Sequence, residues 1–443
     1  MKPATTRFSF LPNPTRLRAW VETLSHFAIG QVASQIIQFA GGFLLLRWLS
    51  YESYAQFGLA MGFQQVLGQL VDLGCTGSIL ALVGDRVRDP VVVGNYVHAA
   101  WALRMRLMLI FGPLSALAFV WFAHVHEWAV WPSTAIFLSI IAGLYYQGMG
   151  AVYGPVLLMH GAMRQAFTPA IVLNSGRLFL AWLLHLVSAL NAAALCWLNV
   201  AVSLLTGRAY AASARPHLVI PERADPVITR EFWRYLAPLL PGLIFYAVQG
   251  QVQVFLISAF GKSQQLAEVA ALGRLGQLFL FLGAFNGSIL IPYIARVPAK
   301  IAGSRYVLVV LVALVIAAGM SITAFLIPAP FLWLLGPKYQ NLGPALGLSV
   351  AASSLAYFNA TLYSLNNARR WVYHSTGIVN ICGILAIQAF LIYWMPLDTT
   401  RNIMILGVAT GAFPIIPFLI TAVIGHRRDR ANLEAAASDH AAA

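Results

Sequence analysis

The chain has 443 residues, of which 60% are hydrophobic and only 9% charged, against about 25% charged in an ordinary soluble domain. No water-soluble fold of this size hides that much apolar surface, so the solvent is a lipid bilayer. The net charge of +14 is carried by residues between apolar stretches, which points to a membrane surface and away from nucleic acid.

Apolar runs of about 20 residues cross the hydrocarbon as helices, and twelve are predicted in chain order: 24–48, 55–84, 104–123, 131–160, 164–188, 191–213, 233–259, 265–293, 304–327, 340–367, 370–395 and 401–424. The expected fold is all-α, with two six-helix bundles at 24–213 and 233–424. A basic segment, 1–23, precedes the first span, which is too long and glutamine-rich for a cleaved signal. With the N-terminus inside, 22 Lys and Arg fall on inner segments and 4 on outer ones. That asymmetry predicts both termini on the cytoplasmic side.

After the second span, Asp89-Pro90 reads as the N-cap and first turn of a short interfacial helix. The stretch 214–232, with its prolines and mixed charge, reads as a cytoplasmic linker between halves. The segment 425–443 reads as a mobile tail. Cys75, Cys196 and Cys382 lie far apart in apolar sequence, with neither metal nor disulfide spacing.

The halves echo each other. Leu67–Leu70 recurs at Leu275–Leu278, Gly77–Leu80 at Gly287–Leu290, and Ala162-x-Arg164 at Ala368-x-Arg370. Ile171-Val172 with Asn174 and Gly176 recurs as Ile378-Val379 with Asn380 and Gly383. An even number of spans per half makes this a parallel repeat, with a cavity between the bundles.

Polar residues sort by repeat position. Gln65, Gln69 and Asp72 share a helix face in span two, as Gln31, Gln35 and Gln38 do in span one. Span seven carries Gln249 and Gln253, with Gln251 off their face, and span eight carries Arg274 and Gln277. Spans three, six and nine are almost free of such groups. A wet cleft lined by spans one, two, seven and eight accounts for this pattern. A lone glutamine is better explained by a bond to a neighbouring helix, worth ~0.6 kcal/mol; the sorting across four spans is not.

Arg177 and Arg274 fall deep within spans, where an arginine costs ~2.5–3.5 kcal/mol on insertion scales. They read either as structural partners, for instance of Asp72, or as a grip on a phosphate or carboxylate. Pro238, Pro241 and Gly242 form the best hinge candidate. Gly261-Lys262-Ser263 lacks the upstream glycine of a phosphate loop. No metal cluster or nucleophile–base motif is visible, no cofactor is implied, and the short outer loops argue against an enzyme working on lipid-linked sugars.

Two stretches carry a family resemblance. RWLSYESYAQFGLAMGFQQVLGQLVDLGCTGSILAL and GAMRQAFTPAIVLNSGRL resemble the first-to-second helix segment and the fifth helix of polysaccharide-biosynthesis flippases. Those belong to the multidrug/oligosaccharidyl-lipid/polysaccharide exporter superfamily. The matching residues are Glu52, Tyr54 and Phe57, then Asp72 and Gly74. Ala55-Gln56 departs from the glycine common in relatives.

The resemblance implies a V-shaped pair of bundles in a bacterial cytoplasmic membrane, working by alternating access. It implies a cargo of oligosaccharide on polyprenyl diphosphate, for surface or exopolysaccharide assembly. Arg274, and after it Arg177, would hold the diphosphate or acidic sugars. Gln35, Gln65, Gln69, Gln249, Gln253 and Gln277 would bind sugar hydroxyls, and Asp72 is the candidate for coupling to protons or sodium. A monomer is expected, in contact with polysaccharide polymerase machinery. The rival reading is a cation-coupled multidrug exporter of the same superfamily.

Overall fold

The computed structural model describes residues 33–442 apart from 223–224, 238–239, 287–289, 291–293 and 295–296. Gln31, Pro238, Pro292, the basic segment 1–23 and most of the second copy of Gly-Ser-Ile-Leu lie outside the described residues.

The described chain is helical. In the first half α1 covers 33–48, followed by α2 (Tyr51–Asp72), α3 (Cys75–Val83), α4 (Pro90–Val125), α5 (Val130–Met159), α6 (Met163–Leu186) and α7 (Ala192–Ala214). A linker helix, α8 (Pro226–Leu236), leads to α9 (Leu240–Gln249), α10 (Val252–Phe260), α11 (Ser263–Gly273) and α12 (Leu278–Phe285). Then come α13 (Ala299–Leu326), α14 (Ala329–Leu335), α15 (Gly343–Ala368), α16 (His374–Trp394), α17 (Thr400–Ala412) and α18 (Ile415–Ala442).

Nine helices among the described residues are long and apolar enough to cross a membrane, or ten if the bent pair α9–α10 is one span. The protein is thus a polytopic membrane protein with fewer clear spans than the twelve expected. The shortfall lies in the first two. The first is described over only part of its length, and the second is divided between polar α2 and short α3.

Several local expectations change. Asp89 does cap a helix, accepting from Val91 N at 3.0 Å and Val92 N at 3.3 Å. That helix is not a separate interfacial piece, because α4 runs unbroken through 36 residues from Pro90 into the third predicted span. The linker carries a helix, α8, capped by Asp225 (2.8 Å to Val227 N) and burying Phe232 and Leu236. The segment expected to be a tail is helical, continuing α18 to Ala442, and near its start Asp429 accepts from Arg369 Nη2 at 2.9 Å and Trp371 Nε1 at 3.2 Å.

The cores explain the shape. At the end away from the arginine-rich connections, one buried cluster draws on both halves, joining Leu46, Leu49 and Tyr54 to Leu266, Leu272 and Leu346. At the arginine-rich end the cores are separate. One holds Ile79, Tyr96, Val156 and Phe232, and the other holds Ile294, Tyr306, Leu365 and Trp371. Burial of shared apolar surface closes one end, and two cores with no shared members leave a cleft at the other.

Candidate functional site: a chamber between the halves

A cavity of about 2100 Å³ occupies this cleft. It is lined from α1 and α2 through α4–α7 in the first half, and by α9, α10 and α15–α18 with Arg274 and Gln277 in the second. Its lining includes Tyr210, Trp371 and Tyr373, close in sequence to Arg208 and to Arg369–Arg370.

Gln65, Gln69, Asp72, Arg177, Gln249, Gln253, Arg274 and Gln277 all line the cavity. Gln35 does not; Gln38, one turn on, takes that place, and the Gln35 Oε1 is buried without a partner. Spans one, two, seven and eight therefore do line the chamber, but not alone. Asn199, Ser203 and Thr206 of α7 also face it, so span six was wrongly set aside. Its small polar residues lack the charge and length that made the glutamines conspicuous.

The break after α2 positions Asp72. Leu73 (φ 40°) and Gly74 (φ 79°) both take the left-handed conformation, one that glycine adopts without steric cost. The turn lets Thr76 Oγ1 donate to Asp72 Oδ1 at 2.6 Å. The same oxygen accepts from Arg104 Nη1 in a salt bridge whose arginine is 3% exposed. Asp72 therefore pairs with Arg104, the first residue of the predicted third span, and not with Arg177 or Arg274.

Those two arginines meet no carboxylate within salt-bridge distance among the described residues. Arg177 Nη1 donates to Asn199 Oδ1 at 2.6 Å. Arg274 crosses to the other half, where its Nε donates to Tyr54 OH at 3.2 Å and its guanidinium lies 6.0 Å from the Phe57 ring centre. Both reach the same step of α1. A Cβ on Gly41 would lie 3.9 Å from Arg177 Nη2, and one on Gly42 would lie 3.5 Å from Arg274 Nη1.

Of the hinge candidates, Pro238 lies outside the described residues, and Pro241 and Gly242 do not sit at the bend between α9 and α10. Both residues fall inside α9, and the chain turns by 50° between Gln249 and Val252. At that break Gln251, off the predicted polar face, donates across the cleft to Gln65 Oε1 at 3.0 Å.

The far end is latched by polar contacts. The Arg47 guanidinium donates to the Trp333 carbonyl and stacks on its ring. Lys338 Nζ donates to the carbonyls of Arg47 (3.2 Å) and Leu49 (2.6 Å), and Tyr51 OH donates to the Lys338 carbonyl. Nearby, His126 Nε2 lies 3.1 Å from Ser258 Oγ and its Nδ1 lies 3.4 Å from Ser263 Oγ.

No protein-family model and no curated protein sequence matches the chain. Its likenesses are to solved structures. An inward-facing multidrug resistance MATE family transporter of the MOP superfamily aligns over 92% of this chain and 98% of its own, at 14% identity and TM-score 0.64. The chain has the fold of a MOP-superfamily transporter. The lipid II flippase MurJ, in an inward closed conformation, also gives TM-score 0.64, at 12% identity over 92% of this chain and 90% of its own. An outward-facing MATE family transporter of the MOP superfamily gives 0.58 at 14% identity, over 93% and 95%.

Among the described residues no group of three or more His, Cys, Asp or Glu is placed to hold a metal ion.

Proposed function

We propose that the protein is an alternating-access transporter of an anionic amphiphile, a polyprenyl-diphosphate-linked oligosaccharide, moved across a bacterial cytoplasmic membrane for surface-polysaccharide assembly. The observation that carries this reading is the charge of the chamber. Asp72 is already matched by Arg104, which leaves Arg177 and Arg274 as unneutralised cations beside one step of α1. Two guanidiniums so placed suit the oxygens of a diphosphate, which they bind in bidentate fashion. The cleft would admit the head group while the polyprenyl chain stays in lipid. Closing it at the arginine-rich end and opening the latch would release the head group on the other side. Cargo must bind the two states with different affinity for this to work.

A cation-coupled multidrug exporter is the second reading, and likeness in fold supports it at least as well, since MATE transporters match the chain as closely as MurJ does. An exporter of cationic drugs uses an unpaired carboxylate in the chamber, and here Asp72 is engaged. Coupling to protons or sodium through Asp72 would first require parting it from Arg104.

Cell-based assays separate the two. On the flippase reading, Arg274→Ala reaches the membrane but does not restore polysaccharide export to a flippase-deficient strain. Efflux of a cationic dye that disappears in Asp72→Asn would favour the exporter.

A further inference from the structure

We infer that the second half's wall of the chamber is a separate subsite for uncharged sugar residues of the cargo, distinct from the arginine pair. This deepens the flippase reading and rests on it.

The chamber is chemically divided. Among its described lining residues the charged ones are Asp72, Arg104, Arg177 and Arg274. Three belong to the first half, and Arg274 reaches into it. The lining from Pro241 to Gln253 and from Ala352 to Thr421 contains no Asp, Glu, Lys, Arg or His. Duplication makes the contrast sharper. Asn174 and its echo Asn380 both line the cavity, yet at the same repeat offset Arg177 is matched by Gly383.

The uncharged wall carries two orphan acceptors. Asn359 Nδ2 donates to the Gly411 carbonyl at 2.6 Å. A carbonyl only accepts, so this bond fixes the amide's orientation. The Asn359 Oδ1 is then buried with no partner, as is the Oδ1 of Asn380, itself 1% exposed. Buried polar atoms in folded proteins are almost always paired, so these two oxygens call for a donor from a ligand. Gln249, also in the lining, has its Oε1 already engaged by Gln388, which is 6% exposed and donates at 2.9 Å. Tyr246 and Tyr363, 44% and 49% exposed, offer ring surface to the same space.

Sugar hydroxyls supply O–H donors to orphan carbonyl oxygens, and the C–H faces of a pyranose pack on tyrosine rings. A carboxylate or phosphate would meet acceptor oxygens with no cation nearby. The wall therefore selects a neutral glycan, with the cargo's negative charge confined to its diphosphate.

The test uses the full chain in nanodiscs and three probes: bare polyprenyl diphosphate, the same lipid carrying a neutral disaccharide, and the same lipid carrying a disaccharide with one uronic acid. The neutral glycolipid is expected to bind ~tenfold tighter than the bare lipid, the value of one or two satisfied hydrogen bonds. The uronic acid version gains nothing. Asn359→Leu with Asn380→Leu removes the tenfold gain and leaves bare-lipid affinity unchanged, and the milder Tyr363→Ala reduces the gain should the double variant misfold. Equal affinity of the native protein for bare and neutral lipids overturns the subsite, as does a parallel loss for both lipids in a folded variant. Sodium-dependent thermal stabilisation that vanishes in Asn380→Leu, without any sugar gain, would make this a cation site and also overturn it. Arg274→Ala reports separately. If it leaves bare-lipid affinity intact, the flippase reading falls even where the sugar gain persists.

Discussion

Arg104 donates to the carboxylate of Asp72 across the gap between α4 and the broken end of α2. The pair sits on the chamber wall, yet its arginine is 3% exposed. It neutralises the only acidic residue lining the chamber among the described residues, so the field inside is set by Arg177 and Arg274.

Removing one member of this pair is costly. Asp72→Asn leaves a buried guanidinium unmatched, with an expected loss of about 3 kcal/mol, at the lower end for breaking a buried ion pair because Asp72 is partly exposed. Thermal unfolding of the detergent-solubilised protein reads this directly. Adding Arg104→Met to the same chain is expected to recover most of the loss; no recovery would mean that Asp72 matters through Thr76 or the turn.

Arg274 and Arg177 are expected to behave as forked ligands and not as bare charges. Arg274→Lys preserves charge but loses the planar donor pair, so affinity for inorganic pyrophosphate falls ~tenfold, and Arg274→Ala lowers it further. Isothermal titration measures both. Equal affinity in the lysine variant would reduce the arginine's role to electrostatics.

Lys338 places a cation on the last carbonyls of α1, at the negative end of that helix. Lys338→Ala is expected to weaken closure of the far end. Spin labels at Ser50 and Gln340, in a chain with Cys382 replaced, would show one short separation in the native protein. In the variant a second, longer population is expected. An unchanged distribution would assign closure to the shared apolar core alone.

His126 makes that end sensitive to pH. Burial holds its imidazole below the usual value of 6.5, between Ser258 and Ser263 and stacked on Trp128 at 5.0 Å. A histidine with a lowered pKa favours the closed form when neutral. Closure is therefore complete above 6.5 and weakens as pH falls from 6.5 through the depressed value. The same label pair is expected to show more of the longer separation at about pH 5 than at about pH 7.5. His126→Gln is expected to remove the difference.

Much of this was legible in the sequence. Apolar run length located most membrane helices, and the spacing of Gln65, Gln69 and Asp72 correctly put them on one wall. What escaped notice depended on three-dimensional pairing. Arg104 lies close enough to a span end to read as an interfacial charge, and only the turn at Leu73-Gly74 brings Asp72 to it. Gln251 is off-face on a straight helix and faces Gln65 because the chain bends beside it. Pro241, named with Pro238 and Gly242 as a hinge candidate, sits at the second position of α9, and a proline in the first turn of a helix fits without bending it. Asn199 carried no charge to mark it, although it is the acceptor that holds Arg177.

Reconstitution in liposomes puts the central claim to its most direct test. A polyprenyl diphosphate bearing a neutral disaccharide, fluorescently labelled on the sugar, is placed in one leaflet and its appearance in the other is timed. The native protein is expected to move it, Arg274→Ala to leave it where it started, and neither to carry ethidium. Ethidium transport that depends on Asp72, with the labelled lipid unmoved by the native protein, would contradict an anionic cargo.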